Sequence, residues 1–412
     1  MSFPTQARSS VEDLPFVDVT AVGFTWEDPV VAAAREECWA ARTPVGLLVL
    51  RYAEAAELLR DPRLISDMSL VVERAGRTSG PLHDAAALTV QSRSGADLHR
   101  VRGLVTRRFA APRVAELRPF IRTTAERLAE RLAAAGPCDF VEAFADPLPL
   151  TVICHLLGIP LKDYGLIRRR SKDISLIFAL DCDPSLLPVV EESLAGLSGY
   201  VETLIRERAK ETGGGLVLSH LLRTHQDGGL DEGELRTLVV QLLGAGSNTV
   251  SHQLSLAMVA FARHPEQWTL LQEHPELAEQ AVDEVLRYCP TTGAIGTPRT
   301  AVEDLCYQSL HIPAGTSIYL GVHPAHRDPR VFPDGDTFNI SVKREVPLLV
   351  FSGGPHYCPG AMLGHTELTE ALTVLTSRLG SPRIAGPVTW RPPLGNVGPE
   401  TLPLCFGWGV SA

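Results

Sequence analysis

The strongest constraint on the fold is one long segment with helical periodicity, which runs from Asp231 to His264. Asp231 and Glu234 have the spacing of a capping box, and Pro265 follows directly, where it would end a helix. At ~1.5 Å per residue, the segment predicts a helix roughly 50 Å long, which is the width of a whole domain. Such a helix has to cross the core, so we expect the other elements to pack around it.

The rest of the chain predicts a mainly helical fold with small β-sheets. Helical periodicity broken by proline and glycine predicts helices over residues 30–41, 52–60, 97–109, 113–135, 147–157, 162–178, 184–211 and 276–288. Strands are expected at residues 43–51 and after residue 291. We expect residues 1–412 to form a single large domain, with residues 1–20 poorly ordered and the three glycines at 213–215 at the tip of a loop.

The charge and the cysteines exclude several classes of protein. The chain has 48 acidic and 38 basic residues, a net charge of −10, which argues against binding to nucleic acid or anionic lipid. No apolar run approaches the ~18 residues of a membrane span, and the N-terminus lacks an apolar signal segment. The eight cysteines include no CxxC pair, which indicates neither disulfides nor zinc. We therefore expect a cytoplasmic protein without a membrane partner, and a monomer.

The middle of the long helical segment contains two glycines, Gly244 and Gly246. Each costs ~1 kcal/mol relative to alanine inside a helix. A sequence tolerates this cost where a ligand approaches the backbone closely, or where another helix packs against it. Taken alone, the residues favour close helix packing.

A second motif, Glu284 and Arg287, lies near the end of the predicted 276–288 helix. Residues three apart share a helix face, so the two side chains can form a bidentate ion pair. Exposed pairs of this kind are common and contribute little to stability. The motif therefore gains weight only from its position in the chain, ahead of Arg299 and a glycine-rich cysteine segment.

That segment, residues 351–360, is called the cysteine loop below; it presents Cys358 ahead of a predicted helix whose first position suits Pro359. Free N–H groups at a helix start would stabilise a thiolate, the form in which cysteine binds metals, including haem iron. A catalytic nucleophile would need a base, and His356 is awkwardly placed. A zinc site would need further ligands. A single cysteine is most often an inert buried thiol, but this spacing of glycine, histidine and cysteine favours a metal ligand.

Taken in order, these motifs resemble the cytochrome P450 family over nearly the whole chain. The order is Ala245-Gly246-x-x-Thr249, then Glu284-x-x-Arg287, then Arg299, then the cysteine loop. The resemblance implies a P450 fold in which the long central helix crosses over one haem b per chain. It also implies a haem-thiolate monooxygenase, an oxidoreductase that uses O₂.

The resemblance assigns a role to each matching residue. Cys358 is the proximal iron ligand, and Phe351 and Gly360 belong to its loop. His356, Arg299 and Arg102 pair with the haem propionates. Glu284 and Arg287 form a structural pair that braces the loop.

On the opposite side of the haem, the resemblance implies that Ala245, Gly246 and Thr249 line the oxygen groove. The Thr249 hydroxyl would donate to dioxygen or to an ordered water. The family usually has an acidic residue before that threonine, whereas this chain has Asn248, which cannot carry a proton as a carboxylate does. Either Asn248 holds water or substrate while oxygen is activated otherwise, or the enzyme diverts to radical coupling.

The resemblance also places a substrate pocket above the haem. Its candidate lining residues are Val90, Gln91, Ile177, Leu242, Thr292, Ile295 and Val397. This mixed lining predicts a medium-sized or bulky, largely apolar organic substrate with a few polar anchors. The chain is similar to soluble bacterial enzymes that tailor polyketides, terpenes, peptides or cyclic dipeptides.

Electrons are expected from an external ferredoxin and its reductase, because the chain has neither a flavin motif nor clustered cysteines. Arginines that would form a positive docking face are Arg100, Arg102, Arg107, Arg108 and Arg113. The leading hypothesis is insertion of one oxygen atom. The alternatives are oxidative C–C or C–N coupling of aromatic, indole or cyclic-dipeptide substrates, and a non-catalytic haem protein that senses a ligand.

Overall fold

The computed structural model describes residues 10–210 and 217–407. The α-helices in these ranges are α1 (Pro29–Glu37), α2 (Tyr52–Leu58), α3 (Met68–Arg74), α4 (Pro81–Leu88), α5 (Gly95–Thr106), α6 (Ala111–Ala135), α7 (Pro147–Leu157), α8 (Tyr164–Ile174), α9 (Leu187–Arg208), α10 (Leu218–Gln226), α11 (Glu232–Arg263), α12 (Pro265–Glu273), α13 (Ala278–Tyr288), α14 (Val322–Ala325) and α15 (Ala361–Arg378). The predicted mainly helical fold is confirmed.

The strands are short and form small sheets beside the helices. Their bounds are β1 (Ala40–Thr43), β2 (Gly46–Val49), β3 (Leu64–Ser66), β4 (Cys138–Asp139), β5 (Arg299–Ala301), β6 (Leu305–Tyr307), β7 (Leu310–Ile312), β8 (Ser317–Leu320), β9 (Pro382–Ile384), β10 (Thr389–Trp390), β11 (Pro399–Thr401) and β12 (Pro403–Phe406). One sheet has the order β1-β2-β8-β5-β3, in which only the β2 and β8 pair is parallel. The other sheets are β4-β12-β9, β6-β7 and β10-β11.

The predicted central helix is present as α11 and is 32 residues long. Asp231 accepts the backbone N–H of Glu234 at 2.7 Å, and the Glu234 carboxylate accepts the N–H of Asp231 at 3.0 Å. The helix ends at Arg263, two residues before Pro265. Both boundaries lie where the capping box and the proline predicted them, because these signals act within a few residues along the chain.

Other boundaries differ from the predictions. The helix predicted over 30–41 ends at Glu37, because residues 40–43 form β1, which pairs with β2. The helix predicted over 162–178 ends at Ile174 and continues as a 3₁₀ turn, Ser175–Ala179. A 3₁₀ turn, Pro184–Leu186, precedes α9, and residue 211 of that predicted helix lies outside the described residues.

Glycine is required in the turn between β1 and β2. Gly46 has φ +142°, and a Cβ there would lie 2.3 Å from the carbonyl oxygen of Ser317 in β8. The turn is closed by Thr43, whose hydroxyl donates to the Gly46 carbonyl at 2.8 Å. This close approach lets β2 pair with β8 beside the β1 hairpin.

The predicted disorder of residues 1–20 concerns a segment of which the structure describes only residues 10–20. There, Ser10 caps a 3₁₀ turn, Val11–Asp13, and Val17 and Val19 are buried. Residues 1–9 and the glycines at 213–215 lie outside the described residues.

Candidate active site

The cysteine loop is shaped by two 3₁₀ turns, Leu349–Phe351 and Gly354–His356, and by one longer backbone hydrogen bond. The N–H of Cys358 donates to the Phe351 carbonyl at 2.8 Å, which folds the end of the loop back onto its beginning. Gly354 has φ +61°, and a Cβ there would lie 3.1 Å from the carbonyl oxygen of Leu59. Glycine is therefore needed where the loop passes the end of α2.

The thiol of Cys358 lies at the start of α15, as predicted. Burial raises the pKa of this thiol, whereas the backbone N–H groups of Gly360 and Ala361 and the charge of Arg102 oppose that shift. The helix begins at Ala361 rather than at Pro359, so the predicted first helical position was two residues too early. The two N–H groups nonetheless stabilise negative charge on the sulfur. The resulting thiolate is the form of cysteine that binds a metal.

Arg299 is buried on β5 and has unused donors. Its Nη1 donates to the Thr297 carbonyl at 3.4 Å, and its buried Nη2 has no hydrogen-bond partner. Burial lowers the pKa of Arg299 to about 10. The pKa of His356 is lowered to about 4, first by burial and then by the charges of Arg299 and Arg102. A group of buried cationic and N–H donors with unused capacity fits an anionic ligand.

Arg102, on α5, bonds to the cysteine loop itself. Its Nη1 donates to the Pro355 carbonyl at 2.7 Å, and its Nη2 donates to the carbonyl of Tyr357. These bonds attach α5 to the residues flanking His356. This contact was not predicted from the sequence, which assigned Arg102 only to a propionate.

Glu284 and Arg287 form a buried bidentate pair, with both nitrogen–oxygen distances at 2.8 Å. Arg287 also donates to the carbonyls of His326, Gly335 and Thr337, at 3.0, 2.7 and 2.8 Å. Arg344 donates to the same glutamate at 2.8 Å. The pair therefore holds the segment that leads into the cysteine loop.

On the central helix, Ala245 is exposed and Gly244 and Thr249 are half-buried, although most other residues of α11 are buried. These residues mark the face that borders the groove. Gly246 is half-buried, and a Cβ on it would lie 3.0 Å from the side chain of Ile153 on α7, whereas a Cβ on Gly244 would meet nothing within 4 Å. Close helix packing thus accounts for Gly246 but not for Gly244.

The neighbouring side chains of Thr249 and Asn248 make hydrogen bonds to different helices. The Thr249 hydroxyl donates to the Ala245 carbonyl at 2.9 Å. The buried Asn248 amide donates to the Ser171 carbonyl on α8 at 2.8 Å. An ionised aspartate could not donate this bond, which gives a physical reason for the asparagine at this position.

The candidate pocket residues come from separate segments that the structure joins. Residues 291–295 and 396–397 are linked by a bridge between Thr292 and Asn396 and by the Val397 N–H, which donates to the Thr291 carbonyl at 2.6 Å. Ile295 donates its N–H to Leu320 at 2.9 Å. The remaining candidates lie on the turn Val90–Ser92, on the turn Ser175–Ala179 and on α11, and these are Val90, Gln91, Ile177 and Leu242.

Two features around the pocket involve contacts that are distant in sequence. Phe178 packs on Gly296 and Gly395, where an added Cβ would lie 3.2 and 2.8 Å from it. Gln241, on α11, was missed from the sequence: its Oε1 accepts the Val90 N–H at 3.2 Å and its Nε2 donates to Gln91. Its only sequence signal is its position four residues before Ala245, on the same helix face.

Of the arginines predicted to form a docking face, two are paired with acids. Arg100 donates to Asp97 and Glu234, and Arg113 donates to Glu116 at 2.9 Å. The others are Arg102, which holds the cysteine loop, the exposed Arg107 and the half-buried Arg108. Among the described residues, no helix combines the length and the apolarity needed to cross a membrane.

Comparison with known proteins agrees with this arrangement. The family model for cytochrome P450 matches residues 189–379. Luteothin monooxygenase from Streptomyces thioluteus is 48% identical over 407 residues, 99% of this chain and 100% of that protein. The chain therefore belongs to the cytochrome P450 family.

Other relatives are more distant. Nocardicin C N-oxygenase from Nocardia uniformis subsp. tsuyamanensis is 32% identical and covers 86% of each chain. The solved structure of CalO2 is 26% identical, with a TM-score of 0.86 over 96% of this chain and 99% of that one. A solved P450 for C–S bond formation in chuangxinmycin biosynthesis is 29% identical, with a TM-score of 0.82 over 91% and 93%. The predicted family, fold and monooxygenase class of enzyme are confirmed.

The family implies a haem cofactor, and the residues around Cys358 fit one. The thiol faces two backbone N–H groups, as a thiolate ligand requires. The unpartnered Nη2 of Arg299, beside His356, suits a buried carboxylate of the porphyrin.

Proposed function

We propose that this chain is a haem b monooxygenase, with one haem per chain, that oxidises a medium-sized or bulky apolar substrate in bacterial secondary-metabolite biosynthesis. The observation that carries the proposal is the thiol of Cys358, held in a braced loop with two N–H groups directed at it. When bound, a thiolate-ligated haem supplies the electron density that favours cleavage of O₂.

Each residue around the cofactor has a proposed role. Cys358 is the iron ligand, and Arg299, His356 and Arg102 hold the propionates through charge and N–H donors. Phe351 and Gly360 set the shape of the loop around the sulfur. These roles are supported by the buried, unused donors of Arg299 and by the bonds between Arg102 and the loop.

On the groove side, Thr249 Oγ1 holds a proton and passes it by way of an ordered water. Ala245 borders the open side of the groove, and Gly246 allows α11 to pack closely against α7. Asn248 positions α11 against α8 through its bond to Ser171, so it acts on the groove through helix position. The proton route therefore begins at a group other than residue 248.

The substrate class is supported by the candidate lining and by the relatives. The lining is mostly apolar, with Gln91 and Thr292 as polar exceptions. Luteothin monooxygenase and mycinamicin IV hydroxylase/epoxidase, which is 32% identical, carry names of natural-product enzymes.

An external ferredoxin and its reductase supply the electrons in this proposal. The exposed Arg107 and the half-buried Arg108 offer positive charge for an acidic partner. Tyr357 and Met362, which flank Cys358 in the sequence, are 46% and 50% exposed and add apolar contact area. We propose that the enzyme works as a cytoplasmic monomer.

Oxidative coupling is the second candidate function. It is favoured by the asparagine at position 248 and by the similarity to the P450 for C–S bond formation. Turnover under ¹⁸O₂ separates the two reactions, because insertion places label in the product and coupling does not.

The proposal is tested first by the optical spectrum of the ferrous protein under carbon monoxide. We expect the red-shifted Soret band of sulfur ligation in the wild type and its loss in Cys358→Ser. Cys306→Ser, at an exposed cysteine on β6, is the matched control and should keep the band. A wild-type protein that binds haem without this band would contradict the proposal.

A further inference from the structure

Two glutamine side chains from different elements meet beside the groove. Gln241 lies on α11, and Gln91 lies in the turn Val90–Ser92. The Gln241 Oε1 accepts the N–H of Val90 at 3.2 Å, and the Gln241 Nε2 donates to the Gln91 Oε1. The turn is thereby attached to the central helix by side-chain amides.

The position of this pair places it next to the proposed site of oxidation. Gln241 precedes the exposed Ala245 by four residues, so both lie on one face of α11, ~6 Å apart along the helix axis. The turn is also tied to α3 and to the segment that leads into β5. Ser92 accepts the N–H of Met68 at 2.8 Å, and the Met68 sulfur accepts the hydroxyl of Thr297 at 3.1 Å.

The hydrogen-bond polarity of the pair follows from one fixed donor. The backbone N–H of Val90 can only donate, so the Gln241 oxygen must face it. The Gln241 nitrogen then faces Gln91, which must present its own oxygen. Within the described part of the chain, the Nε2 of Gln91 bonds to no acceptor, and the residue is only half-buried.

We infer that the amide nitrogen of Gln91 binds a hydrogen-bond acceptor of the substrate, such as a ketone or ester carbonyl. This inference rests on the proposed function and deepens it by naming one chemical group that the substrate carries. The carbonyl anchors the substrate about one helical turn from Ala245. A substrate analogue without the acceptor leaves the Gln91 donor unpaired, and such a site discriminates against it.

The alternative is a structural role in which the pair only closes the turn onto α11. The two roles differ in what they do to selectivity. A structural defect weakens the binding of every ligand, whereas a lost donor weakens only ligands with an acceptor.

The test is equilibrium dialysis of the purified holoenzyme with two probes, 1,3-diphenylpropan-1-one and 1,3-diphenylpropane. They differ only in one carbonyl. We expect the wild type to bind the ketone about two- to tenfold more tightly, as one neutral hydrogen bond provides. Gln91→Leu should bind both probes equally. Gln91→Glu, whose carboxylate repels the carbonyl, should bind the ketone more weakly than the hydrocarbon.

Gln226→Leu, at an exposed glutamine that ends α10, is the matched control and should keep the preference for the ketone. Equal binding of the probes by the wild type, no binding of the ketone, or a preference that survives in Gln91→Leu would overturn the inference. Dialysis needs no turnover. A normal carbon monoxide spectrum beside a failed probe test would leave the proposed function standing, whereas loss of that spectrum would overturn the function itself.

Discussion

The ring of His326 accepts the backbone N–H of Leu349 at 2.8 Å. Burial lowers the pKa of His326 to about 3, so the ring is neutral and its Nε2 can accept. The carbonyl of the same residue accepts a bond from Arg287 at 3.0 Å. The Glu284–Arg287 pair thus reaches the cysteine loop through one histidine, because Leu349 lies two residues before Phe351.

Arg287→Lys is expected to destabilise the protein and to weaken haem retention. Lysine cannot make the bidentate bond to Glu284 while also reaching the carbonyls of Gly335 and Thr337. Breaking a buried pair costs about 3 kcal/mol or more. Urea unfolding of the holoprotein measures the loss, and haem transfer to apomyoglobin measures retention.

Arg113→Lys is the control for that substitution. Arg113 pairs with Glu116 at 2.9 Å, and both side chains are more than half exposed. An exposed pair contributes at most about 1 kcal/mol. Equal losses from the two substitutions would show that Arg287 does not brace the loop.

His252 is expected to make stability depend on pH. The residue is buried, neither ring nitrogen has a partner, and its pKa is lowered to about 3, first by burial and then by Arg391 and Lys172. The unfolded histidine titrates near 6.5, so between pH 6.5 and 3 the unfolded state binds the extra proton. The contribution of the neutral His252 ring to stability is therefore fully present above pH 6.5 and is lost progressively as the pH falls.

The corresponding variant is His252→Phe. As the pH is lowered from 6.5 to 5, its free energy of unfolding should fall less steeply than that of the wild type. The difference between the two slopes should be at most about 1.4 kcal/mol per pH unit. Urea titrations at pH 7.5, 6.5, 5.8 and 5.2 measure both slopes. Parallel slopes in the two proteins would refute this assignment.

Asn248→Asp is expected to be less stable than the wild type at neutral pH. A carboxylate cannot donate to the Ser171 carbonyl, and it would be buried at the contact of α8 and α11. The loss should be about 1–3 kcal/mol, measured by urea unfolding. Asn248→Ala loses the bond without adding charge and should lie between the two. An unchanged stability of Asn248→Asp would mean that another group donates to Ser171.

Asp181 is expected to slow the release of ligands. It accepts two bonds from Arg74 on α3, at 2.7 and 2.8 Å, and one from the hydroxyl of Tyr319 on β8. Asp181 thus ties the segment after Ile177 to α3. Asp181→Asn should raise the dissociation rate of bound 1,3-diphenylpropan-1-one several-fold in stopped-flow displacement.

Glu191→Gln is the control for Asp181→Asn. Glu191 accepts from Arg77 at 2.7 Å, but both side chains are at least one-third exposed, so salt screens the pair. This variant should change the rate little at 0.5 M salt. A similar acceleration in both variants at that salt concentration would contradict a specific role for Asp181.

The sequence predicted those parts of the molecule whose signals are local. The bounds of α11 follow from Asp231, Glu234 and Pro265, all within a few residues of the helix ends. Residues 40–41 read as helix because Ala40 and Ala41 favour it, yet they form a strand because β2 offers a partner. The short helices α3, α4, α10 and α12 were not predicted, since few turns give little periodicity.

In the candidate site, too, contacts within short motifs could be predicted and contacts between residues distant in sequence could not. Glu284 and Arg287 belong to one compact motif, so their pairing could be predicted, and so could the place of Cys358 ahead of a helix. The Gln241–Gln91 pair spans 150 positions, and the bond from Asn248 to Ser171 spans 77. Contacts at such separations depend on tertiary packing, which a single sequence does not display.

Phe178 rests on the bare backbone of Gly296 and Gly395. The position of Phe178 is consequently set by main-chain atoms rather than by side chains that can rotate away. One methyl group added at Gly296 would displace the ring, and one added at Gly395 would meet the Cβ and backbone of Phe178. Even the smallest substitution at either glycine would therefore shift the residue that follows Ile177, a candidate lining residue of the proposed pocket.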